Sequence, residues 1–136
     1  MRYENNADRI REQKAMDAFC SKFGGKGIKL GEWDIDFRYK GDDGLTKAYI
    51  EVKGRIRTMD EAWPLPVAAR KIIKLSDKTI NPIMIWACTD GIIYGRLEDI
   101  EGNTRWGGRK VREGSANDQE VMCYYNPQPG LKYIKY

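Results

Sequence analysis

EWDIDFRYKGDDGLTKAYIEVKG, residues 32–54, decides the fold. Its first part alternates, with Asp34 and Asp36 on one face and Trp33, Ile35 and Phe37 on the other, so a strand is expected. GDDG then supplies a turn, and LTKAYIEVKG runs back with Ile50 and Val52 towards the core. Successive strand side chains point to opposite faces, so Val52 anchors while Glu51 and Lys53 project together. The hairpin sets Asp34 or Asp36 opposite Glu51, and parity admits either because the two aspartates share a face. Two carboxylates meeting across strands repel by up to about 1 kcal/mol unless positive charge lies between them. A divalent cation resolves that conflict.

Upstream, Glu12, Met16, Phe19 and Phe23 recur at steps of four, three and four, the stripe of an amphipathic helix that FGGKG brings to a stop. Glu12 lies on that stripe, at the inward edge of the helix, with Glu4 and Asp8 as competing acids. Downstream, the prolines of WPLP suit a helix start. Ala68, Ala69, Ile72 and Leu75 then form an apolar stripe beside Lys71, Lys74 and Lys78. NPIMIWAC reads as a buried strand turning through TDG into IIYGRL, and VMCYY is the best strand candidate in a Gly-, Asn- and Tyr-rich last third. The economical architecture is an α/β (α+β) fold, a central mixed β-sheet flanked by helices. No repeat or linker divides the 136 residues, so one domain over 1–136 is expected.

The longest apolar run, Ile83 to Cys88, is far below the ~20 residues that span a bilayer. The first ten residues carry no apolar signal core, and the expectation is a soluble, cytoplasmic protein. Cys20, Cys88 and Cys123 suit reduced thiols, and the absence of histidine and of C-x-x-C argues against zinc. A net charge of +4 permits a polyanionic partner. Its distribution is more telling, because Arg55 and Arg57 follow the second strand and NTRWGGRKVR gathers Arg105, Arg109, Lys110 and Arg112 around Trp106 without an acid.

Carboxylates without histidine or thiolate are hard ligands that suit Mg²⁺, with Mn²⁺ as substitute, and leave positions open for water and phosphate. Lys53 beside them would orient the attacking water or neutralise charge on a phosphodiester. Because neutral variants relieve a cluster of like charges, Glu51→Gln and Asp36→Asn are expected to leave the melting temperature unchanged or raised.

Asp36, Glu51 fifteen positions later in EVK, and Glu12 on the preceding helix together resemble the PD-(D/E)XK nuclease superfamily, the restriction-endonuclease-like fold. WDIDF, EVKGR, TDGIIY and WGGRKVREGSANDQE are similar to segments of its small, often phage-encoded members. The resemblance implies Asp36, Glu51 and the Val52 carbonyl as metal ligands, Lys53 as the water-orienting or charge-stabilising residue, and Glu12 as the helical acid. Ile35 stands where the superfamily usually has proline.

The resemblance also implies DNA as substrate, gripped through Arg55, Arg57, Lys71, Arg105, Arg109, Lys110 and Arg112, possible homodimers, and host cytoplasm as the site of action. No membrane partner or nucleotide cofactor is expected. Trp106 is suited either to stack on an unpaired base or to sit partly buried at a hairpin tip. The leading reading is a Mg²⁺-dependent DNA endonuclease, structure-selective or weakly sequence-selective. The alternatives are a nuclease-fold protein that binds DNA or a host protein without cleaving, and an unrelated mixed-sheet domain with solvated acids.

Overall fold

An apolar stripe on the first helix sets the architecture. In the computed structural model, which describes residues 6–31, 34–108 and 119–136, α1 (Asn6–Phe23) buries Glu12, Ala15, Met16 and Phe19. Those spacings of three and four share one face. The helix stops where Gly24 and Gly25 take φ of 76° and 71°. A side chain at Gly25 would strike the Lys40 carbonyl oxygen, so glycine is required there.

The chain continues through β1 (Lys26–Lys29), β2 (Phe37–Lys40), β3 (Thr46–Gly54), β4 (Leu65–Ala68), α2 (Ala69–Ser76), β5 (Pro82–Ala87) and β6 (Gly91–Arg96). A short 3₁₀ turn (Leu97–Asp99) leads to β7 (Gly102–Gly108), β8 (Gln119–Tyr125) and β9 (Lys132–Lys135). Six strands form one mixed sheet in the order β1-β2-β3-β5-β6-β9, and β4-β8-β7 form a second, antiparallel one. β3 and β5 pair in parallel, with Glu51 beside Met84 and Lys53 beside Trp86. A parallel step needs a crossover, and the segment carrying β4 and α2 supplies it.

The large sheet is covered on both faces. Against one, Met16 and Phe19 of α1 pack with Phe37, Ile50, Val52, Ile85 and Ile92. On the other, Met84, Trp86 and Ile93 pack with Leu75 of α2 and with Leu65, Val67, Cys123 and Tyr125 of the small sheet. The Trp86 Nε1–H donates to the Pro66 carbonyl at 2.9 Å, tying the two sheets together.

Three sequence expectations change. The alternating run before GDDG is strand only from Phe37 onward, because pairing with β3 ends at Phe37–Ile50. Ile35 and Phe37 consequently enter opposite core layers, and Trp33 lies outside the described residues. The prolines of WPLP do not start a helix. Trp63–Pro64 is a cis bond and Pro66 lies in β4, at the edge of the small sheet, where a missing N–H is tolerated. The strand β1, directly after the helix stop, is a further element. The mixed sheet with packed helices, the paired strands β5 and β6, and the strand at VMCYY are as expected. The three cysteines are free thiols, and no described helix is long and apolar enough to cross a membrane.

Candidate active site

Asp36 and Glu51 lie at the open end of the β2–β3 hairpin. Phe37 with Ile50 is the last pair of the β2–β3 ladder; Asp36 comes just before Phe37 and Glu51 just after Ile50. Asp36 is 1% exposed and Glu51 3%. β2 has ended by this point, leaving the Val52 N–H without a strand partner, and Asp36 Oδ2 accepts it at 2.8 Å. A buried backbone donor is thereby satisfied by a carboxylate.

Glu12 reaches the same place from α1 and is 8% exposed. It meets Asp36 through a third residue, Lys29, whose Nζ lies 2.8 Å from Glu12 Oε2 and 3.1 Å from Asp36 Oδ1. Lys29 ends β1 opposite Phe37, and its ammonium also sits 5.1 Å from the centre of the Phe37 ring. Partial burial works to lower its pKa, but the hydrogen bond it donates to Glu12 and the charge of Asp36 outweigh that and hold it above the ordinary lysine value. The sequence reading passed over Lys29. Its signal was the short alternation Ile28-Lys29-Leu30, hidden directly behind a glycine helix stop.

The competing acids go elsewhere. Asp34 Oδ1 pairs with Lys78 Nζ at 3.1 Å and accepts the Ile35 N–H at 2.7 Å. Partial burial raises its pKa, yet the Ile35 N–H and the Lys78 ammonium overcome this and hold it below the ordinary aspartate value. Asp8 pairs with Arg11 at 3.0 Å, and Glu4 lies outside the described residues.

Glu51 and Lys53 share the sheet face that carries α2, the first buried and the second exposed. Lys71 projects half-buried from α2. Arg55 lies just beyond β3, but its Nε donates to the Ala62 carbonyl at 2.9 Å and so holds the loop before β4. Arg57 is exposed on that loop. Arg105 lies on the outer face of β7, its guanidinium 4.2 Å from the centre of the Tyr124 ring. Trp106, on the opposite face, is 63% exposed. Arg109, Lys110 and Arg112 lie outside the described residues.

The candidate donors are all oxygen: the buried carboxylates of Asp36 and Glu51 and the carbonyl of Val52, which follows Glu51 in β3. Among the described residues no group of three or more His, Cys, Asp or Glu side chains gathers around one metal position. Such a set still fits Mg²⁺, which typically takes one or two carboxylates and fills its shell with water and phosphate oxygens. Glu12 faces the Lys29 ammonium at hydrogen-bond distance.

A family model described as "Phage putative PDDEXK endonuclease" matches residues 1–128. No curated protein and no solved structure matches the chain.

Proposed function

Since the chain belongs to this phage PD-(D/E)XK endonuclease family, we propose that it is a Mg²⁺-dependent DNA endonuclease, structure-selective or weakly sequence-selective in its cleavage. The observation that carries this reading is the burial of two carboxylates, Asp36 just before β2 and Glu51 in β3, with an exposed Lys53 two residues further along. Asp36, Glu51 and the Val52 carbonyl would hold the cation. When bound, Mg²⁺ or Mn²⁺ supplies a Lewis acid for the phosphodiester and lowers the pKa of its water.

The chain's own residues do the rest. Lys53 stands outside the buried pair, where its ammonium can orient the attacking water or offset charge on the phosphate. Glu12 positions Lys29 and, through it, Asp36. Arg57, exposed on the loop after β3, and Lys71 of α2 would grip phosphates, with Arg105, Arg109, Lys110 and Arg112 extending the contact. A dimer would lengthen the duplex covered.

A second reading is DNA or host-protein binding without cleavage. It is favoured by the lack, among the described residues, of a three-carboxylate cluster. One experiment separates the two: incubation of supercoiled, linear, single-stranded and four-way-junction DNA with Mg²⁺, Mn²⁺ or EDTA, comparing wild type with Glu51→Gln. Metal-dependent cutting that the substitution abolishes supports the nuclease. Intact DNA in every condition, with retained binding, moves the assignment to the second reading.

A further inference from the structure

Lys29 is the residue that the family resemblance left unassigned, and its position is unusual for a surface lysine. Its ammonium lies within hydrogen-bond distance of two carboxylates from different elements, Glu12 on α1 at 2.8 Å and Asp36 before β2 at 3.1 Å. The two acids are almost wholly enclosed, with side-chain exposures of 11% and 0%, whereas Lys29 is 41% exposed. The cation therefore approaches the buried acids from the solvent side, which is also the side from which a dissolved metal ion arrives. β1 is the outermost strand of the large sheet, so the long Lys29 stem can swing without repacking either core layer.

We propose that Lys29 is a positioning residue that holds the place of the divalent cation, bridging Glu12 and Asp36 until metal enters, whereupon Asp36 passes to the metal and Glu12 retains the ammonium. This inference rests on the metal-dependent reading above. The two buried carboxylates need a nearby positive charge, and a lysine supplies it before a metal binds. A metal held by Asp36 would compete with this ammonium, so the affinity for metal would be set partly by what Lys29 gives up. Glu12, already bonded to the ammonium, would keep it when Asp36 turns to the metal, rather than serve as a third metal ligand.

The prediction has a sign that a purely structural role does not share. If Lys29 competes, Lys29→Met tightens Mn²⁺ binding at least about tenfold, the worth of one charged hydrogen bond. If Lys29 merely holds the acids in place, their separation in the variant weakens Mn²⁺ binding. Calorimetric titration of Mn²⁺ into wild type, Lys29→Met and Lys29→Gln distinguishes the two, with circular dichroism to establish that each variant is folded. Should Lys29→Met not fold, the shorter polar Lys29→Gln carries the same test. Lys26, exposed at the other end of β1, provides the charge control: Lys26→Met leaves the affinity unchanged if the effect is local. Equal tightening in the Lys26 and Lys29 variants, or unchanged or weaker binding in the Lys29 variants alone, overturns the inference while leaving the nuclease reading intact. Absence of Mn²⁺ binding in every protein overturns both.

Discussion

Asp36 accepts the Val52 N–H through Oδ2 at 2.8 Å while its Oδ1 faces the Lys29 ammonium. One carboxylate thus closes the backbone of the strand that carries Glu51 and Lys53. Two substitutions separate these tasks. Asp36→Ala leaves a buried N–H without its acceptor and is expected to cost about 1–3 kcal/mol in urea denaturation. Asp36→Asn keeps an acceptor for Val52 but no longer balances Lys29, so its loss of stability is smaller. Both abolish cleavage. Like-charge repulsion alone led to the expectation that Asp36→Asn leaves stability unchanged or raised. The Lys29 ammonium reverses that sign, because it already offsets the charge. Wild-type stability in Asp36→Ala would show that Val52 does not depend on the carboxylate.

Asp34 tests the choice between the two aspartates. Its carboxyl is held below the ordinary aspartate value, so its contribution is present above that ordinary value and lost as pH falls through the lower folded one. With 41% of the side chain exposed, the pair with Lys78 is worth little. Asp34→Asn should lower the melting temperature by less than about 4 °C at neutral pH. The difference from wild type should vanish in strong acid, and cleavage should persist. Loss of cleavage with an unchanged melting temperature would exchange the roles of Asp34 and Asp36.

Cys88 reports on the layer beneath the site. Burial pushes its thiol up to about 11, with Asp90 adding to the rise and Arg55 opposing it. Since the thiolate is the reactive form, iodoacetamide at mildly alkaline pH should leave Cys88 intact in the folded chain and modify it after denaturation, as read by peptide mass spectrometry. Rapid modification of the native protein would place this layer in contact with solvent.

How far the sequence carries depends on how local each signal is. The stripe through Met16 and Phe19, the turn after Lys40 and the apolar run from Ile83 each lie within one element, so periodicity alone exposed them. Helix spacing, strand parity and the family resemblance singled out Glu12, Asp36 and Glu51, and all three are buried. Lys29 was not singled out, because its role arises from two partners, Glu12 seventeen residues away and Asp36 seven away. The small sheet was hidden for a related reason. β4 contains Pro66, which reads as a helix start, yet pairing of Pro66 with Tyr124 defines it. Asp34 and Asp36, equivalent by alternation, part company because β2 begins only at Phe37, and no local rule marks that boundary.

The β7–β8 hairpin gives the last prediction. Trp106 pairs with Val121, on the same face as buried Cys123 and Tyr125. Further along that face the core runs out, leaving Trp106 63% and Val121 47% exposed. On the reverse face Arg105 lies over Tyr124. An exposed indole on one face of the hairpin suits stacking on an unpaired base, and a guanidinium on the other suits a phosphate contact. Trp106→Ala should therefore weaken binding to single-stranded DNA by about 1–3 kcal/mol with little change in melting temperature. Arg105→Ala should reduce the slope of log affinity against log salt by about one. Fluorescence anisotropy at several salt concentrations, alongside thermal melts, measures both effects. A large fall in melting temperature for Trp106→Ala with unchanged DNA affinity would make the tryptophan a packing residue of the hairpin, and the nucleic-acid contact would then fall to Arg57 and Lys71.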